Sequence, residues 1–186
     1  TAPAKVPASG DGKIRVLTTP GQDTTRKGAT KTFTIEAEGG LGIDLTAYAG
    51  EVRSILSSDK GWEVADGIHF KALTPADLDQ GSVPDVRITL ASPDLTDELC
   101  APLNTGGEVS CNRHGRAVIN AKRWAIGVKY YDDLTLYRTY LINHEVGHGL
   151  WHQHAFCPGA GQKAPIMQQQ TLGLQGCTAW PYPVTS

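Results

Sequence analysis

The chain has 186 residues, with 17 Lys and Arg against 19 Asp and Glu, and four cysteines. That is enough chain for one domain with its own core, and the scattered basic residues form no stripe of the kind that nucleic acid or an anionic membrane surface requires. No apolar run of about 18 residues offers a membrane span, and no basic-then-apolar leader opens the sequence, as expected of a mature or trimmed chain; a cell-surface tether ahead of residue 1 stays open.

Residues 1–12, rich in Pro, Ala, Ser and Gly, read as a flexible tether, with 13–186 forming one domain: an upper lobe to about residue 154 and a lower lobe from about 155. Residues 31–38 alternate polar and apolar, the period of a half-buried strand, and Gly39-Gly40 ends it. Leu45, Tyr48, Ala49, Val52, Ile55 and Leu56 recur at helical spacing, with Asp44 placed as N-cap and Gly61 as the stop. Short strands are expected at 69–73, 85–90 and 117–120, with a Pro-, Asn- and Gly-rich loop at 100–111. A second helix should start at Asp132 or Asp133 and run through Leu134, Tyr137 and Leu141. From Cys157 onward little periodicity remains, and the run Gln168-Gln169-Gln170 is too short to interpret. The order points to an α+β fold.

Four cysteines allow three connectivities. Their spacing pairs neighbours, Cys100 with Cys111 and Cys157 with Cys177, each closing a Gly- and Pro-rich loop. Two such bridges suit an oxidising compartment, so the chain is expected to be secreted or extracellular.

The segment that carries chemistry is His144-Glu145-Val146-Gly147-His148 on the second helix. Residues four apart share a helical face, so two imidazoles reach one zinc ion while Glu145 is aimed at an activated water as general base. No Asp or Glu follows Glu145, so a third ligand must come from His152, His154, Cys157 or Cys177. On an unbroken helix His144 and His152 would stand about 12 Å apart along the axis, a poor tetrahedron. A turn after Leu150 or Trp151 swings His154 back to the ion; His154 is preferred and His152 is the alternative. A different amide hydrolase, deformylase-like, would recruit Cys111 as a free thiolate. A third possibility is a secreted zinc-containing binding or cell-wall-associated module without proteolytic activity. His69 and His114 lie far from the motif and are read as bystanders. Tyr130, Tyr131, Tyr137, Tyr140 and Tyr182 include candidate donors to a tetrahedral oxyanion, and Asn143 and Gln168 are candidates by proximity alone.

These residues resemble the metzincin clan of zinc endopeptidases, whose pattern His-Glu-x-x-His-x-x-Gly-x-x-His falls here on His144, Glu145, His148, Trp151 and His154. Met167, the one methionine, stands thirteen residues past His154, where the clan's methionine turn floors the metal site. The chain is also similar to an uncharacterised bacterial family of secreted metzincin-like domains ending in Met-Gln-Gln-Gln, Gly-Cys and Trp-Pro-Tyr-Pro, as residues 167–170, 176–177 and 180–183 do. The resemblance implies a zincin-like fold: an N-terminal mixed sheet with two helices, the second bearing the site, and a short irregular C-terminal lobe. It implies a monomeric zinc endopeptidase acting on protein or peptide, with His144, His148 and His154 as ligands. It also implies a sheet edge that binds substrate by strand addition, for which Val86, Ile88 and Leu90 are candidates against an interior placement. Trp151 departs from the pattern: the clan's glycine breaks the helix through a left-handed conformation, which costs a residue with a side chain about 1–2 kcal/mol. Either the turn is made earlier, at Gly149, or Trp151 accepts the strain with its indole packed in the cleft.

Overall fold

The computed structural model describes residues 5–186. Its elements run β1 (Ile14–Val16), β2 (Ala29–Glu38), α1 (Leu45–Leu56), α2 (Trp62–Asp66), β3 (Ile68–Ala72), α3 (Pro75–Asp79), β4 (Val86–Ala91), α4 (Pro93–Cys100), β5 (Cys111–Arg113), β6 (Arg116–Asn120), α5 (Ala121–Ile126) and α6 (Leu134–Gly149). This is an α+β fold built on one mixed sheet. Strands β2, β4 and β6 run parallel at its centre, with β1 antiparallel to β2 and β5 antiparallel to β6. Strand β3 pairs parallel with the first half of β2, on the side away from β4, since Phe33 is opposite both Ala72 and Val86.

Alternation along the strands sends Phe33, Ile35, Ile88 and Ile119 into a core shared with Tyr48 and Val52 of α1 and Tyr137, Leu141 and Val146 of α6. The other face of β2 was expected to meet water, yet Thr34, Glu36 and Glu38 are also buried. Their polar groups are matched, as burial demands. Glu36 accepts from Thr34 and Thr89 and faces Arg87 and Arg116, each at 3.4 Å. Glu38 accepts the backbone N–H groups of Gly12 and Ser92 at 3.0 and 2.7 Å. Part of that cover is the segment read as a tether. Val6 packs on the core, Asp94 donates to the Ala8 carbonyl at 3.0 Å, and Asp11 donates to that of Gly39 at 2.9 Å. The first four residues of the expected tether lie outside the described residues.

Six helices are present among the described residues where two were expected. The additional four have eight residues or fewer, about two turns, and start at side-chain caps or turns: Ser92 before Pro93, a Thr74–Asp77 capping box around Pro75, Asn120, and Gly61. Gly61 thus opens α2 and does not stop α1, which ends at Leu56. Val86, Ile88 and Leu90 belong to an interior strand between β2 and β6 and so form no sheet edge; β5 is the edge strand beyond β6. After α6, residues 150–186 contain no helix or strand, only a bridge between Lys163 and Thr178. The disulfides are Cys100–Cys111 and Cys157–Cys177. No helix among the described residues is long and apolar enough to cross a membrane.

Candidate metal centre

Helix α6 begins where the Asp133 side chain accepts the Leu136 N–H at 3.1 Å, and it packs against β4, β5 and β6. That placement buries His144 and Glu145, while His148 one turn later is half exposed. The helix runs through Gly149 and stops in a Schellman motif: Trp151 N–H bonds to the His148 carbonyl at 3.0 Å and His152 N–H to the Gly147 carbonyl at 2.9 Å. The motif requires a left-handed residue, and Trp151 supplies it at φ 73°. Its indole is 89% exposed and takes no part in lining the cleft, so the strain is accepted without the expected packing.

The turn brings His154 back beside the helix. One ring nitrogen from each of His144, His148 and His154 lies within 4.8 Å of the others, and the Nε2 atoms of His148 and His154 are 3.0 Å apart. His144 Nδ1 stands 2.8 Å from the Ile166 carbonyl and His148 Nδ1 stands 3.0 Å from that of His152. A carbonyl oxygen only accepts, so each Nδ1 carries the proton and each Nε2 keeps its lone pair free. Burial pushes the His144 pKa down to about 3, helped by His148 and His154 nearby, and burial also lowers those of His148 and His154. Neutral imidazoles with bare nitrogens are the form that binds a metal. Tetrahedral zinc, with Zn–N of about 2.0–2.1 Å, needs such nitrogens about 3.4 Å apart, so the donor set fits that ion.

Glu145 is buried at the base of the cleft, and burial raises its pKa to about 8. Its Oε2 has no hydrogen-bond partner, an orphan acceptor of the kind that buried sites keep for a function. The backbone carbonyl of Glu145 accepts from Asn112 Nδ2 of β5 at 3.1 Å, tying the helix to the sheet edge.

His152 does not join the cluster: its ring stacks on Trp62 and its Nε2 stands 2.7 Å from Asp66. Met167 lies under the motif, where a Cβ at Gly147 would come within 2.6 Å of its sulfur and 2.7 Å of Trp62. That contact explains the glycine inside the motif. Cys111 is bonded to Cys100, which leaves no thiolate for the deformylase-like alternative. His69 and His114 are absent from the cluster. Asn143 is buried, donating to the Pro181 carbonyl at 3.0 Å.

The tyrosines have another use. Rings of Tyr131, Tyr137 and Tyr140 pack together at 5.5–6.0 Å, and their hydroxyls reach Gln170 Oε1, Thr171 Oγ1 and the Gln168 carbonyl at 2.6, 2.9 and 3.0 Å. Tyr182 packs on Trp180, and Tyr130 lies beneath Lys129. The Gln run that carried no meaning in sequence is the counterpart of this ladder. Gln170 is fully buried and its amide donates to the carbonyls of Pro165 and Trp180 at 3.1 and 2.9 Å. Gln168 donates to that of Leu174 at 3.0 Å, while Gln169 lines the cleft. The i, i+3 pair Tyr137 and Tyr140 is the one visible sequence signal for this arrangement.

The cluster floors a cleft of about 760 Å³. The disulfide loop and β5 form one wall through Leu103, Val109 and Asn112, and the turn held by the tyrosines forms the other through Gln169, Thr171 and Leu172. No curated protein matches the chain, and no solved structure matches it. A family profile does match, over residues 1–182, and the chain therefore belongs to the family described as "Protein of unknown function (DUF3152)".

Proposed function

We propose that the chain is a zinc-dependent endopeptidase with a zincin-like, metzincin-type site, in which His144, His148 and His154 hold the ion and Glu145 is the general base. The observation that carries this reading is the convergence of three imidazole nitrogens beside a buried carboxylate with a free oxygen, on the floor of an open cleft. A zinc ion held there would supply Lewis acidity, enough to polarise a substrate carbonyl and to lower the pKa of water to about 7.

The protein's own groups do the rest. Glu145 takes the proton of the attacking water and returns it to the amine nitrogen as the peptide C–N bond breaks, so no proton is consumed overall. Burial alone raises its pKa, and a cation held beside it would favour the charged form that accepts the proton. The carbonyls of Ile166 and His152 hold two imidazoles in one tautomer and one orientation. Strand β5, at the sheet edge and lining the cleft through Cys111 and Asn112, offers backbone to an extended peptide. Leu103 and Leu172, both well exposed on opposite walls, offer apolar contact to its side chains. The two disulfides support a secreted, extracellular setting.

Elemental analysis of the purified protein should find one zinc per chain, lost in His144→Ala and in His154→Ala. Glu145→Ala should keep its zinc while turnover of a peptide library falls about 10²- to 10⁴-fold. Unchanged turnover removes Glu145 as the base. Zinc in the wild type without any turnover would favour a zinc-containing binding module.

A further inference from the structure

We infer, on the zinc reading above, that His152 is a positioning residue: it clamps the turn that carries His154 onto α2 and so holds the strained backbone at Trp151 in place. His152 lies between the second and third histidines of the cluster, but its ring faces the other way. It stacks on Trp62 with ring centres 4.2 Å apart and planes at 27°, and its Nε2 donates to Asp66 Oδ2 at 2.7 Å. Both partners belong to α2. The backbone of His152 works toward the site: its N–H closes the helix on the Gly147 carbonyl at 2.9 Å, and its carbonyl receives His148 Nδ1 at 3.0 Å. One residue thus joins the helix end, the orientation of one imidazole and a neighbouring helix. Trp62 is itself fixed, since its indole N–H donates to the Asn143 carbonyl at 2.8 Å and its ring fills the space beside Gly147.

Trp151 creates the need for a clamp. A left-handed φ of 73° is disfavoured for a residue with a Cβ, and an indole 89% exposed gains no packing to offset it. Released from α2, the turn relaxes toward negative φ, and His154, three residues on, leaves its place 3.0 Å from His148 Nε2. Metal affinity then falls in proportion to the fraction of chains that keep the turn. Glycine adopts positive φ freely. With glycine at 151 the turn stands unaided and His152 becomes dispensable.

The test measures zinc dissociation constants by competition with a chromogenic chelator, and the visible absorption of the Co²⁺-loaded protein, for wild type and four variants: His152→Ala, Asp66→Ala, Trp151→Gly and Trp151→Gly/His152→Ala. His152→Ala should weaken zinc about 10- to 100-fold and shift the Co²⁺ bands, and Asp66→Ala should weaken it less. Adding Trp151→Gly to His152→Ala should restore affinity to within about twofold of Trp151→Gly alone. The clamp is overturned if His152→Ala binds zinc like wild type, or loses as much affinity with glycine at 151 as without it. Should far-UV circular dichroism show His152→Ala unfolded, Asp66→Ala with and without Trp151→Gly decides by the same comparison. A wild type that binds no zinc removes the zinc reading and the clamp together; a wild type that binds zinc, with His152→Ala unaffected, removes the clamp alone.

Discussion

Upstream of Leu150 the site rests on a helix packed against a sheet; downstream, in residues 150–186, there is no helix or strand and the site rests on side chains bonded to backbone. His144, Glu145 and His148 are placed by helical geometry, which any well-packed helix provides. The turn that carries the Ile166 carbonyl to His144, and the wall at Gln169 and Thr171, are held by Tyr131, Tyr137, Tyr140, Gln168 and Gln170, one hydrogen bond at a time. Periodic structure spreads its support over many weak contacts, whereas the lower lobe concentrates its support in a few buried polar groups. Damage to the two regions should therefore read out differently.

The largest effect is expected in the sheet. Phe33 is wholly buried, edge-on to Phe70 at 6.0 Å, and Phe33→Ala should cost about 3–5 kcal/mol of global stability in urea unfolding. The zinc dissociation constant of the folded variant should stay unchanged, because Phe33 touches neither α6's histidines nor the lower lobe's turn. Gln170→Ala should do the reverse. It strips partners from the partly buried groups of Tyr131, Pro165 and Trp180, at about 1–3 kcal/mol, and the loosened turn carries the Ile166 carbonyl away from His144. Zinc affinity should fall along with stability. A Gln170→Ala protein with wild-type zinc affinity would show that the lower lobe does not set the ligand geometry.

Next in size is a pH effect centred on the histidine cluster and Glu145, read in protein stripped of metal by a chelator. His144, lowered from 6.5 to about 3, is neutral when folded, so below pH 6.5 the unfolded chain binds the extra proton and stability falls as acid is added. Glu145, raised from 4.5 to about 8, keeps a proton that the unfolded chain releases above pH 4.5, so stability falls as pH rises toward 8. Between 4.5 and 6.5 the Glu145 slope opposes that of His144, but His148 and His154, also lowered by burial, add to the latter, so the urea midpoint should still rise with pH. From 6.5 to 8 Glu145 acts alone, and about 2 kcal/mol should be lost. Saturating zinc should abolish this alkaline limb, because a cation beside Glu145 favours its charged form. A limb that survives zinc would place the titrating group elsewhere.

The same contrast governs what was legible in the sequence. Helix α6 was, from a cap at Asp132 or Asp133, of which the structure uses the second, to the i, i+4 histidines, and so was the need for a turn before the third ligand, because three histidines along one straight helix cannot share a tetrahedron. Buried Glu36 and Glu38 were not, since alternation in β2 reads as one wet face and their partners Arg87, Arg116, Gly12 and Ser92 come from distant segments. Helices α2 to α5 are too short for a period to register, and they start at local features such as Ser92 before Pro93 and the Thr74–Asp77 box. The roles of Gln168 and Gln170 follow no spacing rule at all: an amide that bonds the backbone of Trp180 or Leu174 leaves no local pattern.

The smallest effects sharpen the comparison within one helix. Tyr137 and Tyr140 are both buried and both send a hydroxyl into the lower lobe, but their partners differ. Tyr137 meets the Oγ1 of Thr171, a partly exposed residue on the cleft wall, where water can replace the lost hydroxyl. Tyr140 donates to the Gln168 carbonyl and accepts the Gln170 N–H at 2.9 Å, and both residues are buried. Tyr140→Phe therefore strands two backbone groups away from solvent and should cost about 1–3 kcal/mol, while Tyr137→Phe, with the same ring lost of the same atom, should cost about 0.5–1 kcal/mol. Urea midpoints of the two variants decide the matter. Equal losses would mean that the burial of a hydroxyl's partners does not set what its removal costs.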